Sequence, residues 1–193
     1  MKVIGCGTGR CGTVSFKELM IENDIDCKHE KPPVLPWNVD SVLLEVRIDY
    51  FKANNNVGDV AFYYLPYLED LLDNVNGLKV ICLKRDREET VESYMKKTRG
   101  RNHWLDHEGE KWEKDPVWDK CYPNYNFESK ERAIREYWHE YYDYTEYLSD
   151  IYPERVKVYS LDVLNNEEVQ KKMFDFIGVD EPNLQVGLKK NES

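Results

Sequence analysis

The segment Val-Ile-Gly-Cys-Gly-Thr-Gly-Arg-Cys-Gly-Thr-Val-Ser-Phe begins at residue 3 and places Gly7, Gly9 and Gly12 between a short apolar run and an amphipathic stretch. Such a loop can bind a phosphate through main-chain N–H groups at a helix start, helped by the helix dipole. Glycine permits the close approach and unusual dihedrals that this requires. The spacing Gly7-x-x-x-x-Gly12 is that of a triphosphate-binding loop, yet Thr13-Val14 stands where the lysine and the magnesium-binding hydroxyl belong. The cation comes earlier, at Arg10. The loop therefore suits an anion that travels without tightly held magnesium, and no metal is expected. The alternative is a glycine-rich turn with an incidental arginine.

A second basic site follows Lys79-Val-Ile-Cys-Leu, where Arg85-Asp86 precedes Ser93 by eight and seven residues. Arg85 sits at the end of an expected strand and Ser93 on the next helix, an arrangement that can hold a second anion. Alternatively Arg85 pairs on the surface with Glu88 or Glu89, and Ser93 is a solvated helix position. Lys97, Arg99 and Arg101 either add positive potential nearby or are simply solvated.

His29-Glu30, just ahead of Pro32-Pro33, supplies the acid–base candidates. His29 is a natural general base by its ordinary pKa. Glu30 serves only if burial raises its pKa. Neighbours in an extended segment point to opposite faces, so only one of the two is expected to reach a given hydroxyl. The alternative is that both are loop residues, with Glu30 paired to Lys28 or Lys31. Asp59 is a candidate for substrate positioning, or the end of a strand. Cys11, at a helix start beside Arg10, is expected to have a lowered pKa. A cysteine-phosphatase loop needs Cys-x5-Arg, but Gly12 and Lys17 occupy that place for Cys6 and Cys11.

These residues need a frame, and the composition supports one. The chain has 193 residues, a length suited to a single domain over 1–193, and its 41% apolar and 13% aromatic content argues for a packed core. A net charge of −10 argues against nucleic acid or an anionic membrane as partner. Any anionic ligand must then be held by local basic groups. No apolar run approaches the roughly 18–20 residues of a membrane span. Met1 leads almost directly into Lys2-Val-Ile-Gly, so no signal peptide is expected. Five scattered cysteines without a Cys-x-x-Cys pair indicate neither zinc nor a disulfide framework, and a reducing cytoplasm is the expected compartment.

Periodicity and turn signals predict strands at 3–6, 25–28, 57–62, 79–83 and 156–159. Helices are expected at 13–22, 40–53, 65–72 (opened near Pro66), about 87–98, 129–151 and a last one capped by Asn165-x-x-Glu168 and ended by Gly178. Residues 100–127 read as irregular and aromatic-rich. Trp104, Trp112, Trp118, Tyr122, Tyr125 and Phe127 suit either core packing or a lid or acceptor loop. Tyr137, Trp138, Tyr141 and Tyr142 read as one packed helix face. Strands alternating with helices favour a single three-layer α/β/α domain with a mainly parallel sheet. Its ligands bind beyond the strand C-termini, where residues 7–13, His29-Glu30 and Arg85 all fall.

Taken together, the two basic motifs resemble those of the nucleotide-dependent sulfotransferase family. Its 5′-phosphosulfate loop reads (R/K)-(S/C)-G-T/S-T/S after the first strand, matched by Arg10-Cys11-Gly12-Thr13-Val14-Ser15. Its 3′-phosphate motif has an arginine after a central strand and a serine eight residues on, matched by Arg85 and Ser93. The stretch VYSLDVLNNEEVQKKMFDFIGV resembles the family's C-terminal strand-loop-helix, with the usual Tyr-Glu-Asp-Leu only partly kept as Ser160-Leu161-Asp162-Val163. The resemblance implies a P-loop-like fold and the donor 3′-phosphoadenosine 5′-phosphosulfate (PAPS), with 3′-phosphoadenosine 5′-phosphate (PAP) as product. The acceptor would be a hydroxyl of a carbohydrate, a tyrosyl group or a small molecule. It further implies that Cys11, Gly12, Thr13, Val14 and Ser15 hold the 5′ end and that Arg10 replaces the lysine of cytosolic members. Arg85 and Ser93 would hold the 3′-phosphate. Glu30 corresponds to the catalytic glutamate of Golgi-type and tyrosylprotein members, with His29 as the other candidate. The competing readings are a P-loop kinase or nucleotide hydrolase with a degenerate loop, and a non-catalytic nucleotide-binding module.

Overall fold

The computed structural model describes residues 1–187; residues 188–193 of the expected single domain lie outside the described residues. Five strands form one sheet: β1 (Lys2–Cys6), β2 (Asp26–His29), β3 (Val57–Val60), β4 (Leu78–Lys84) and β5 (Val156–Ser160). Their order is β2-β3-β1-β4-β5, and every neighbouring pair is parallel. The inner strands read as near-continuous apolar runs because both of their faces are covered, as parallel sheets require. Alternate residues divide between the two sides. Ile4, Cys6, Val80 and Cys82 face a large core that includes α2 (Ser41–Ala53), α3 (Leu68–Asn74), α4 (Arg87–Lys97) and α5 (Lys130–Ile151). Val3, Ile81 and Leu83 face a smaller core with α1 (Thr13–Ile21) and α6 (Glu167–Ile177). The expected α/β/α layering with a parallel, P-loop-like sheet is therefore observed. Among the described residues, no helix is long and apolar enough to cross a membrane.

Helix starts follow their side-chain caps. Asp40 accepts from Val42 N and Leu43 N, Asp86 from Glu89 N, and Ser129 from Arg132 N. The last helix departs from expectation by one residue. Its cap is Asn166, which accepts from Val169 N at 3.2 Å, while Asn165 closes the preceding 3-10 turn Leu161–Asn165. A second departure lies at 62–72. A 3-10 segment, Phe62–Tyr67, contains Pro66, and α3 starts only at Leu68. Proline offers no N–H to a continuing α-helix, so the chain makes tight turns before the regular helix can begin. β3 accordingly stops at Val60, short of the expected residue 62.

Behind β3 lies a buried charged brace. Arg47 Nη1 donates to Asp59 Oδ2 at 3.2 Å, and its Nη2 donates to the carbonyls of Lys31 and Pro33 at 2.7 and 2.8 Å. Tyr64 Oη donates to the same Asp59 oxygen at 2.6 Å, and Lys31 N reaches Oδ1 at 3.2 Å. Asp59 is fully buried, so it does not meet a substrate; it anchors the turn that carries residues 31–33 away from β2. Removing one partner strands a buried charge, which costs about 3–5 kcal/mol. Arg47→Ala should therefore lower unfolding free energy by about that amount in urea titration. A loss below about 1 kcal/mol would show that the brace is not needed.

Candidate active site

Parallel strands deliver their C-terminal ends to one edge of the sheet, and β1, β2 and β4 there release the loop, Glu30 and Arg85. The loop is held from below by tyrosines of α4 and α5. Gly7 N donates to Tyr141 Oη at 3.1 Å, and that hydroxyl donates to Phe62 O at 2.9 Å. Tyr142 Oη donates to Leu83 O at 2.8 Å and lies 3.3 Å from Thr8 Oγ1. The Thr8 carbonyl accepts from both Tyr137 Oη and Tyr94 Oη. Gly9 has φ 83°, and a Cβ there would sit 2.2 Å from the Tyr94 hydroxyl, so this glycine serves both the backbone angle and the approach of Tyr94.

Gly12 is the N-cap of α1, at φ 75°, and no side chain caps the helix. The first intrahelical bond there runs from Phe16 N to Gly12 O. The amides of Thr13, Val14 and Ser15 precede it and have no partner within the helix, which is the donor set of an anion site. These three residues and Gly12 line a cleft of about 740 Å³. Residues 7–15 thus carry a loop that can cradle an anion as the spacing suggests.

Arg10 and Arg85 both line this cleft. Arg10 Nε donates to Ser93 Oγ at 3.0 Å, and Arg85 Nη1 donates to Arg10 O at 2.9 Å. The two basic motifs, separated by some seventy-five residues in sequence, are therefore in direct contact. Arg85 Nε also pairs with Glu89 at 3.0 Å, the surface pairing expected as the alternative. Trp138 Nε1 donates to Arg85 O at 3.0 Å and pins the end of β4. Ser93 meets the cleft through Arg10. Lys97 and Arg101 line it too, whereas Arg99 opens onto a separate hollow beside Trp112 and Lys130.

Across the cleft stand His29 and Glu30, and here the expectation of opposite faces fails. Glu30 adopts φ 52°, which breaks the extended run and turns both side chains into the cleft. His29 Nδ1 lies 3.9 Å from Glu30 Oε2, and its Nε2 lies 3.0 Å from Thr13 Oγ1. Burial, and secondarily the charge of Asp59, pushes the Glu30 carboxyl up to about 7. Burial lowers the His29 pKa; Asp59 acts in the opposite sense and Lys17 in the same one. Cys11 corrects another expectation. Its thiol is fully buried and is pushed up to about 12, mainly by burial and next by Cys82, which outweighs Arg85. Its side chain is a packing group beneath the loop.

The aromatic segment divides its duties. Trp104 is fully buried and packs against Tyr94 and Tyr122. Trp118 and Tyr122 line the cleft with Phe62, which stacks on Tyr122 at 4.4 Å between ring centroids. His103 stacks on the other side of Tyr122 at 5.2 Å and bonds Asp119 at 2.6 Å. Leu161, Leu164 and Asn165 close the opposite end beside Gly12. The loop-bracing tyrosine hydroxyls and these leucines escaped the sequence reading. The helical spacing of Tyr137, Tyr141 and Tyr142 signals packing but not which carbonyl each hydroxyl meets.

No family model matches the chain, and no curated protein sequence matches it. Solved structures do. The sulfotransferase domain from the curacin biosynthetic pathway is similar over 92% of this chain and 74% of its own, with 14% identity and a TM-score of 0.56. Mouse sulfotransferase SULT7A1, solved with PAP, is similar over 94% of this chain and 60% of its own, at 14% identity and a TM-score of 0.54. The YorR protein from Bacillus subtilis, solved with phosphorylated GDP, is similar over 92% of this chain and 95% of its own, at 15% identity and a TM-score of 0.51. The all-parallel sheet and these likenesses together show that the chain has the sulfotransferase fold.

Proposed function

We propose that this chain is a PAPS-dependent sulfotransferase acting on a hydroxyl acceptor. The observation that supports the reading is the contact between the two basic motifs, Arg10 with Ser93 and Arg85 with the Arg10 carbonyl, the two arginines lining one cleft with Glu30. PAPS, when bound, supplies a sulfuryl group on a phosphate leaving group and two anionic ends. The donor set fits it: first-turn amides without an intrahelical partner and two guanidinium groups, with Thr13-Val14 in place of the lysine and magnesium-binding hydroxyl of a triphosphate loop. The amides from Cys11 to Val14, with the Thr13 and Ser15 hydroxyls, hold the 5′ end. Arg85 and Ser93 hold the 3′-phosphate. Arg10 neutralises charge that develops on the leaving oxygen; one well-placed donor of this kind contributes about 2.7–4 kcal/mol. Arginine does not give up its proton at ordinary pH, so Arg10 acts electrostatically. Glu30 takes the acceptor's proton in an in-line displacement, and its raised pKa makes it a competent base near neutrality.

Phe62, Trp118 and Tyr122 give the acceptor end an apolar wall, compatible with a carbohydrate, a tyrosyl group or a small molecule. The partners are thus the donor and a hydroxyl-bearing acceptor, without nucleic acid. Five cysteines without disulfides, all buried, suit a cytoplasmic protein. A second reading, a kinase-like or purely nucleotide-binding module, draws on the likeness to YorR with its phosphorylated GDP.

Calorimetry separates them. PAP should bind with or without EDTA, and Arg85→Ala should weaken it about 10- to 100-fold, the effect of losing a charged hydrogen bond. Unchanged affinity would remove Arg85 from the site, and binding only of ATP with magnesium would favour the second reading.

The raised pKa of Glu30 gives a paired test. Transfer should rise with pH to a midpoint near 7 as the carboxylate forms. The folded state binds this proton more tightly than the unfolded chain, so its contribution is present below the unfolded pKa of about 4.5 and is lost as pH climbs to about 7. Glu30→Gln should therefore abolish transfer, leave PAP binding intact and melt higher than the parent at pH 8. A fully active variant would reassign the base.

A further inference from the structure

His29 ends β2 between two groups that the reaction would use. On one side its Nε2 is 3.0 Å from the hydroxyl of Thr13, the first residue of α1. On the other its Nδ1 is 3.9 Å from the Glu30 carboxylate. We propose that His29 is a positioning residue: an anion held in the loop selects its tautomer through Thr13, and that tautomer gives the protonated form of Glu30 a partner. The proposal rests on the sulfotransferase reading and gives His29 a part other than that of rival base.

The number of available hydrogens fixes the tautomer. A hydroxyl has one to donate, and a neutral imidazole has one N–H. Without an anion, Thr13 either donates to Nε2, leaving Nδ1–H toward Glu30, or accepts from Nε2–H, leaving Nδ1 bare. An anion at the first turn of α1 is the stronger acceptor and takes the Thr13 hydrogen. Thr13 Oγ1 can then only accept from His29. The ring must carry its hydrogen on Nε2, and Nδ1 becomes a bare lone pair facing Glu30. A carboxylate gains nothing from that lone pair, whereas a carboxylic acid can donate to it. The separation of 3.9 Å must shorten into hydrogen-bond range when Glu30 takes the proton.

The proton balance follows. As the acceptor oxygen forms its bond to sulfur, the bond from sulfur to the phosphate oxygen breaks and its electron pair stays on PAP. The hydroxyl proton passes to Glu30, whose acid form is then held by His29 Nδ1. A loop without its anion leaves Nδ1 free to carry the hydrogen, and Glu30 has less hold on the proton. Acceptance of the proton is thereby tied to the presence of the donor. Among the described residues, other ionisable groups acting on this pair are Asp59 on β3 and Lys17 on α1, with Tyr63, Tyr94, Tyr122 and Cys121 around Glu30. None of them lies between Thr13 and Glu30 as His29 does.

The test reads the ring itself. The chain has four histidines, so the His29 signals are assigned by their loss in His29→Gln, and ring nitrogen shifts are recorded at pH 8 with and without saturating PAP. His29 should pass from mixed tautomers to the Nε2–H form on PAP binding. Thr13→Val, which loses one donor but keeps the loop amides, should bind PAP more weakly and, at saturation, without that change. His29→Gln should hold PAP within about twofold, lose at least tenfold in kcat and move the midpoint of the rate–pH profile to lower pH. A purely structural histidine would leave that midpoint in place. PAP that binds with the ring unchanged, or with the same change in Thr13→Val, overturns the assignment and leaves the sulfotransferase reading standing. PAP that fails to bind at all overturns both.

Discussion

A loop that offers its amides to an anion must satisfy the rest of its backbone elsewhere, because buried carbonyl and N–H groups cannot be left unpaired without cost. Here that need is met by phenols. Tyr141 and Tyr142 from α5 reach Gly7, Thr8, Phe62 and Leu83, while Tyr137 and Tyr94 share the Thr8 carbonyl. A phenol is rigid, long and able to both give and accept a hydrogen bond, so it spans from a helix to a loop over an apolar core. The left-handed angles at Gly9 and Gly12 are tolerated within this frame. Tyr94 follows Ser93 on α4, so one helix turn fixes both the underside of the loop and the hydroxyl that meets Arg10. The loop and the Arg10–Ser93 contact are consequently braced by the same helix turn.

Charge is arranged locally against the global balance. The chain carries −10 overall, yet Arg10, Arg85, Lys97 and Arg101 converge on the cleft. Several of these cations are already partnered. Arg85 pairs with the exposed Glu89 at 3.0 Å, where such pairs are weak and easily exchanged, and Arg101 pairs with the half-buried Asp115 at 3.0 Å. By contrast the Arg47–Asp59 pair is wholly buried and is committed to the turn beyond β2.

Most of the frame was legible from residue order. Alternating apolar strands and amphipathic helices led to the observed layers and to the edge where the loop, Glu30 and Arg85 gather. The loop and the Arg85/Ser93 spacing were equally legible, because both depend on short-range geometry after a strand. What escaped depends on partners distant in sequence or on single backbone angles. The positive φ of Glu30 turned an expected either-or into a pair sharing one cleft. Asp59 looks like any strand-end carboxylate until Arg47 and Tyr64 are seen against it. The Cys11 thiol was misjudged because helix position and a neighbouring arginine are visible in sequence, whereas complete burial is not. Pro66 marked a helix start, but not that a 3-10 turn would precede it.

The position of β2 has a consequence of its own. It is the outermost strand on its side, four residues long and bonded only to β3. One flank of its backbone therefore faces outward. Exposed Asp26 and Lys28, ion-paired at 2.6 Å, put charge on that rim, a known deterrent to strand addition by another molecule. The same thin attachment makes this the strand that detaches with the fewest hydrogen bonds broken. The residues that would manage the proton thus hang from the sheet's most readily frayed border, whereas those that would grip the anion are rooted in its middle.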